Sequence, residues 1–82
     1  MNKTTTREVA RYWRSGEPAC NGTSQFWTDG IKIYSYRLCI GDTTENGKKV
    51  LKDYSATGRH GFRSMTTSKH VGYARGHAHI VD

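Results

Sequence analysis

The strongest local constraint in the chain is Asp29-Gly30, set between two β-prone runs, Gln25-Phe-Trp-Thr28 and Ile31-Lys-Ile-Tyr-Ser-Tyr36. An Asp-Gly pair adopts the positive backbone angles of a two-residue hairpin turn at little cost, so this stretch predicts two antiparallel strands joined tightly. Apolar alternation is clean at Ile31 and Ile33, then shifts phase to Tyr34, Tyr36, Leu38 and Ile40. One inserted residue exchanges the two faces of a strand, so the shift predicts a bulge or break near Ser35. Asn46-Gly47, within the turn region Gly41–Gly47, is a second hairpin signal, and Lys48–Tyr54 reads as the return strand.

Helical signals flank this β region. Thr4–Ser15 reads as a short helix with Thr6 as N-cap, and Ser15-Gly-Glu-Pro ends it by glycine at the C-terminus with proline soon after. Val9, Tyr12 and Trp13 share one face of that helix, while Arg7, Arg11 and Arg14 line another. Ala19–Ser24 is a loop, Ser55–Gly61 a basic loop and Phe62–Met65 a short final strand. Thr66, Thr67 and Ser68 then cap a second helix running to about His79, with Val71, Ala74, Ala78 and Val81 as a narrow apolar face. The architecture so predicted is a small single α+β domain over residues 1–82. It has a helix in 1–15, a three- to four-stranded antiparallel sheet in 25–65 and a helix in 66–79. Both helices are expected on one sheet face, because 82 residues allow only one modest core.

Composition narrows the partners. The formal net charge is +6. Residues 1–14 carry Lys3, Arg7, Arg11 and Arg14 against Glu8, and residues 59–82 carry Arg59, Arg63, Lys69 and Arg75 against Asp82, around a balanced middle. An excess of positive charge at both ends suggests a polyanionic partner, either nucleic acid or an acidic protein face. No run approaches membrane-spanning length and the first residues have no apolar segment, so the reading is a soluble intracellular protein with no membrane partner. Cys20 and Cys39 are then expected to be reduced, and Asn21-Gly-Thr23 is only a turn.

The candidate site lies where the second helix begins. Lys69 and His70 place cations where free N–H groups and the helix dipole are already positive, which is favourable only if an anion docks there. Arg59, His60 and Arg63 lie just upstream. The predicted anion- or partner-binding set is Arg7, Arg11, Arg14, Arg59, His60, Arg63, Thr67, Ser68, Lys69, His70 and Arg75. The plainer alternative is that the hydroxyls cap the helix and the cations are solvated. Tyr34 and Tyr36 are the candidates for stacking on unpaired bases, whereas Trp27 and Phe62 are assigned to the core. No P-loop, nucleophile elbow or His-Glu-x-x-His motif is present, and no catalytic residue or cofactor is assigned. Phosphodiester cleavage by His60, His70 and Lys69 is weighed against a basic patch of surface histidines, and the patch is preferred. His77 and His79, placed on a helix, would point about 200° apart at about 100° per residue, so no metal site is assigned.

A resemblance adds context. Thr28-Asp-Gly30, Tyr34-Ser-Tyr36, Asp53-Tyr-Ser55 and Met65-Thr-Thr-Ser-Lys-His-Val71 with Ala74-Arg75 resemble a group of small proteins encoded by tailed bacteriophages. Their common feature is a Tyr-Ser segment leading into Thr-Thr-Ser-(Lys/Arg/Gln)-His, and the likeness covers roughly residues 27–78. It implies origin rather than chemistry: a small viral protein working in a bacterial host cytoplasm. The expected function is a non-enzymatic phage accessory protein that binds RNA or DNA through a basic helix and loop surface. The alternative that the resemblance supplies is an anti-host or anti-defence inhibitor, anti-CRISPR-like, gripping an acidic surface of a host protein.

Overall fold

The computed structural model of the chain describes residues 2–82. In chain order these form β1 (Asn2–Lys3), α1 (Thr6–Ser15), β2 (Ala19–Cys20), β3 (Phe26–Thr28), β4 (Ile33–Ser35), β5 (Leu38–Thr43), β6 (Lys49–Leu51), α2 (Met65–Arg75) and β7 (Ile80–Val81). The strands make one sheet in the order β1-β2-β3-β4-β5-β6-β7. Neighbours from β2 to β6 are antiparallel, whereas β1–β2 and β6–β7 are parallel. The α+β class and the two helices stand, but a three- to four-stranded antiparallel sheet is corrected to a seven-stranded mixed one. Parallel neighbours cannot be joined by a tight turn and need a crossover, usually a helix. Here α1 carries the chain from β1 to β2, and α2 carries it from β6 to β7. The added strands β1, β2 and β7 are two residues long, too short for alternation to register in the sequence.

The same topology decides where the helices lie. Four antiparallel reversals separate β2 from β6, so β6 points the way β1 does. Both crossovers step toward the same side of the sheet order, and crossovers keep one hand. Both helices therefore fall on the same face. The outline of 31 × 31 × 19 Å fits one helix layer on one sheet, each layer being about 10 Å thick. Between the layers lie Val9, Ala10 and Trp13 of α1, Val71 and Ala74 of α2, and Phe26, Ile33, Ile40 and Leu51 of the sheet, with Tyr54 at the margin.

Several local expectations change. β4 and β5 are joined at Tyr36–Arg37, where Tyr36 has φ 58°, so the break expected near Ser35 is a full reversal of the chain just after it. The phase shift in the sequence has two sources, that turn and a bulge. Ile33 pairs with Gly41 and Tyr34 with Cys39, which leaves Ile40 as the extra residue. Asp29-Gly30 belongs to a four-residue connection, 29–32, rather than a two-residue turn. Asp29 Oδ1 accepts the N–H groups of Ile31 at 2.9 Å and Lys32 at 2.8 Å. Thr5 rather than Thr6 precedes α1, and it makes no side-chain cap. The segment expected as a last strand, Phe62–Met65, instead ends in Ser64, the N-cap of α2, and α2 stops at Arg75, short of His79.

Two glycines test this packing in opposite directions. A Cβ on Gly41 would meet Ile33 Cγ2 at 2.7 Å and Trp13 Cζ2 at 2.9 Å, both in the core, whereas a Cβ on Gly72, inside α2, meets nothing within 4 Å. Gly41→Ala is expected to destabilise by about 1–3 kcal/mol through overpacking. Gly72→Ala is expected to stabilise by roughly 0.5–1 kcal/mol. Urea denaturation of the two variants beside the parent chain checks both signs.

Candidate functional site

The start of α2 is organised differently from the expected anion site. Ser64 Oγ accepts the Thr67 N–H at 3.1 Å, so one of the first-turn donors an anion would use is already taken. The helix begins at Met65, which puts Thr66, Thr67 and Ser68 inside its first turn and Lys69 and His70 in the second. Thr67 and His70 are each only 3% exposed and turn toward the sheet. Ser35 Oγ, fully buried on β4, lies 2.7 Å from His70 Nδ1 and 3.0 Å from Thr67 Oγ1, and Ser64 Oγ donates to Thr67 Oγ1 at 3.1 Å. The His70 ring stacks on Phe26 with centroids 4.4 Å apart and planes 3° from parallel. Thr67 and His70 are thus corrected from surface ligands to parts of a buried tie between β4 and α2. The Ser68 hydroxyl is also buried, while Lys69 is exposed. A serine against an imidazole has the composition of a nucleophile and base, but a side chain with no exposed surface gives a substrate no approach.

Burial holds the His70 pKa below the ordinary value near 6.5. The unfolded chain therefore binds this proton first as pH falls, so stability is fully present above pH 6.5 and declines below it. His79, lowered by desolvation and then by Arg14, Lys48 and Lys49, adds in the same direction. Urea titrations at pH 7.5 and 5.5 are expected to show this loss, with His70→Gln flattening it. Ser35→Ala, which leaves buried partners unpaired, is expected to cost about 1–3 kcal/mol at pH 7.5.

The two basic ends of the chain do come together. Arg7 sits over the Tyr73 ring of α2 at 6.0 Å, and Arg14 Nη1 donates to the His77 carbonyl at 3.1 Å. Much of the charge there is spent within the molecule, however. Arg11 pairs with Glu8 at 2.7 Å, and Arg75 with Asp53 at 2.8 Å. Arg59 and His60 both reach the Asp82 carboxylate, at 3.3 and 3.2 Å. Burial alone would raise the Asp53 pKa, but the Ser55 hydrogen bonds and the Arg75 guanidinium outweigh it and hold the pKa low. Arg63 stands over the Tyr54 ring at 5.4 Å. Of the predicted set, Arg7, Arg63 and Lys69 remain as exposed cations with no ion pair among the described residues and no carbonyl partner. His77 and His79 lie beyond the end of α2, so the helical argument about their directions does not apply.

The opposite face of the sheet is a different surface. Phe26, Thr28, Ile33 and Ser35 are buried under the helices, so the pleat turns Trp27 and Tyr34 the other way. Register then defines a row across four strands: Cys20 pairs with Trp27, Trp27 with Tyr34, and Tyr34 with Cys39, while Lys3 of β1 pairs with Cys20 at the edge. A second row is Asp42, Val50 and Ile80. Trp27 and Tyr34 stack with centroids 4.1 Å apart and planes 9° from parallel, and the indole N–H donates to the Tyr36 carbonyl at 2.9 Å. Trp27 is therefore corrected from core to open face, and Phe62, at 51% exposure, is not core either. The same pleat brings Lys32, Lys48 and Lys52 to this face, all exposed, against the single carboxylate of Asp42, which lies 3.9 Å from Lys32. Tyr36, 43% exposed, sits at its end.

Lys3, Lys32, Lys48 and Lys52 were absent from the predicted set because charge counting along the chain does not register cross-strand neighbours. The alternation Lys32-Tyr34 was the one local signal for this surface. Lys49 looks like one more surface cation in sequence, yet it is buried. Its ammonium donates to the Gly30 carbonyl at 3.0 Å and the Thr43 hydroxyl at 2.7 Å beside the Trp13 ring, and burial lowers its pKa. No helix of the described residues is long and apolar enough to cross a membrane. Comparison with protein-family models, curated proteins and solved structures returns no match.

Proposed function

We propose that the chain binds nucleic acid across the open face of its sheet, without catalysing a reaction on it. One observation carries the reading: a stacked aromatic pair, Trp27 and Tyr34, stands on an uncovered sheet face whose rim is supplied by Lys3, Lys32, Lys48 and Lys52. Lysines supply the phosphate attraction and aromatic rings supply contacts that every base can make. This moves the site away from the basic helix and loop surface, because Arg11, Arg59, His60 and Arg75 already have carboxylate partners. Arg7, Arg63 and Lys69 contribute long-range attraction through the net charge of +6. A phage origin, implied by the sequence resemblance, is consistent with such an accessory role.

The test is fluorescence anisotropy of labelled RNA and DNA over a salt series. Binding is expected to weaken steeply with salt. Lys3→Ala, Lys48→Ala and Lys52→Ala are each expected to lower the magnitude of the salt slope by about 1. Arg59→Ala, whose guanidinium is already paired, is expected to change it little. Absence of binding at low salt would remove this reading. The lysine rim would then be assigned to an acidic protein surface, and capture of a host protein that survives nuclease treatment would identify it.

A further inference from the structure

We infer that the open face selects unpaired bases, taking one base against the free side of Tyr34 in the notch above Cys39; this rests on the nucleic-acid reading of the same face. The geometry of the aromatic pair carries the inference. Trp27 and Tyr34 are direct cross-strand partners, and their ring separation of 4.1 Å is close to the spacing between strands, about 4.8 Å. Near-parallel rings at that spacing stand upright on neighbouring strands, with their faces directed along the sheet. Each ring uses one face on the other and keeps one free.

The two free faces have different surroundings. The outer side of Trp27 looks over Cys20, which is buried at 6% exposure next to β1. The outer side of Tyr34 looks over Cys39, a small and half-exposed side chain whose thiol is turned to the Gly41 carbonyl at 3.2 Å. β6 ends at Leu51, opposite Gly41, so no strand of the described sheet flanks Cys39 on its far side. A flat group stacked on Tyr34 therefore lies above β5 with only a thiol beneath it. Lys52 borders this notch, since its N–H donates to the carbonyl of Ile40, the residue after Cys39, at 2.7 Å.

Charge and stacking together specify the occupant. From Lys3 at one edge to Lys52 at the notch, the face offers cation, aromatic pair, notch and cation in sequence. A duplex presents phosphates to such a surface, but its base faces are already stacked on one another. Only an unpaired base can bring a free π-face to an upright ring, so the notch favours a single strand. Recognition by stacking is tolerant of base identity, so strand form, rather than sequence, is what this face distinguishes.

The experiment compares one labelled single strand of about 10 nucleotides, in RNA and DNA versions, with the corresponding duplex at one salt concentration; single-strand-binding modules cover about 4–16 nucleotides. The single strand is expected to bind roughly 5- to 150-fold tighter, the equivalent of one stacked base. Tyr34→Ala is expected to erase that ratio and Tyr34→Phe to keep it. Cys39→Leu, which fills the notch beside Tyr34 while leaving both rings of the aromatic pair in the sequence, is expected to weaken single-strand binding while leaving duplex binding unchanged. It decides the matter if Tyr34→Ala fails to fold. Equal affinity for both forms, or a ratio indifferent to Cys39→Leu, overturns the inference and leaves the lysine-based reading standing. Loss of binding to every form overturns both. Where the single strand is preferred, a difference between its RNA and DNA versions names the natural strand.

Discussion

The shared hand of the two crossovers is the constraint on which the molecule depends. Because β1 and β6 point the same way, α1 and α2 are both thrown onto one face. All core residues then face one layer, and Trp13, Phe26, Ile33, Ile40, Leu51, Val9 and Val71 fill it with no exposed surface. An 82-residue chain has little left to cover a second face. What remains outside is an antiparallel surface bearing aromatic and lysine side chains, so the same topology that makes the core leaves the opposite face open.

The polar groups divide along the same line. Under the helices most are engaged: Lys49 on Gly30 and Thr43, the Trp13 indole and the Thr43 hydroxyl on the Ile31 carbonyl at 3.0 and 2.6 Å, and Ser35 on His70 and Thr67, with the Ser68 hydroxyl the unpartnered exception among the described residues. Buried groups of this kind cost about 1–3 kcal/mol each when a partner is removed. They fix the connection 29–32, β5, β6 and α2 in place. At the surface, ion pairs such as Arg59–Asp82 contribute about 0–1 kcal/mol. Their importance is that they neutralise the cations they hold. Counting charges along the chain weights Arg59 and Lys52 equally, but in three dimensions only Lys52 is left with its charge unspent.

What could be read from the sequence follows from the length of each signal. α1 was legible because Val9, Trp13 and the arginines repeat over several turns and Gly16 ends it. The central strands were legible from their alternation. β1, β2 and β7 were not, because a two-residue strand has no period and is specified only by the parallel neighbour a helix returns it to. The turn at Tyr36–Arg37 showed only as a phase change, read as a bulge or break near Ser35, because a tyrosine at φ 58° carries no turn signature that would mark a reversal. Trp27 was assigned inward from its size, when its neighbours Phe26 and Thr28, both inward, leave it only the other face. The candidate site was hidden because its lysines come from β1, the β3–β4 connection, the β5–β6 hairpin and the end of β6. Only register makes them neighbours.

This bears on what the most specific stretch of the sequence means. Tyr34-Ser-Tyr36 and the segment from Met65 to His70 are far apart in the chain, yet they meet through Ser35, Thr67 and His70. A pattern joining Tyr-Ser to Thr-Thr-Ser-Lys-His therefore encodes a buried contact between β4 and the second crossover helix. It reports how α2 is held, and it sits on the inner side of the sheet. The residues of the outer side, Trp27, Cys39 and the four lysines, lie outside that pattern, and Tyr34 is the one residue common to both. A chain that kept Ser35, Thr67 and His70 but changed Cys39 and the lysines would retain this scaffold and lose this surface. In this chain the signature residues hold the fold, and the outer surface is made by the alternate positions of the same strands.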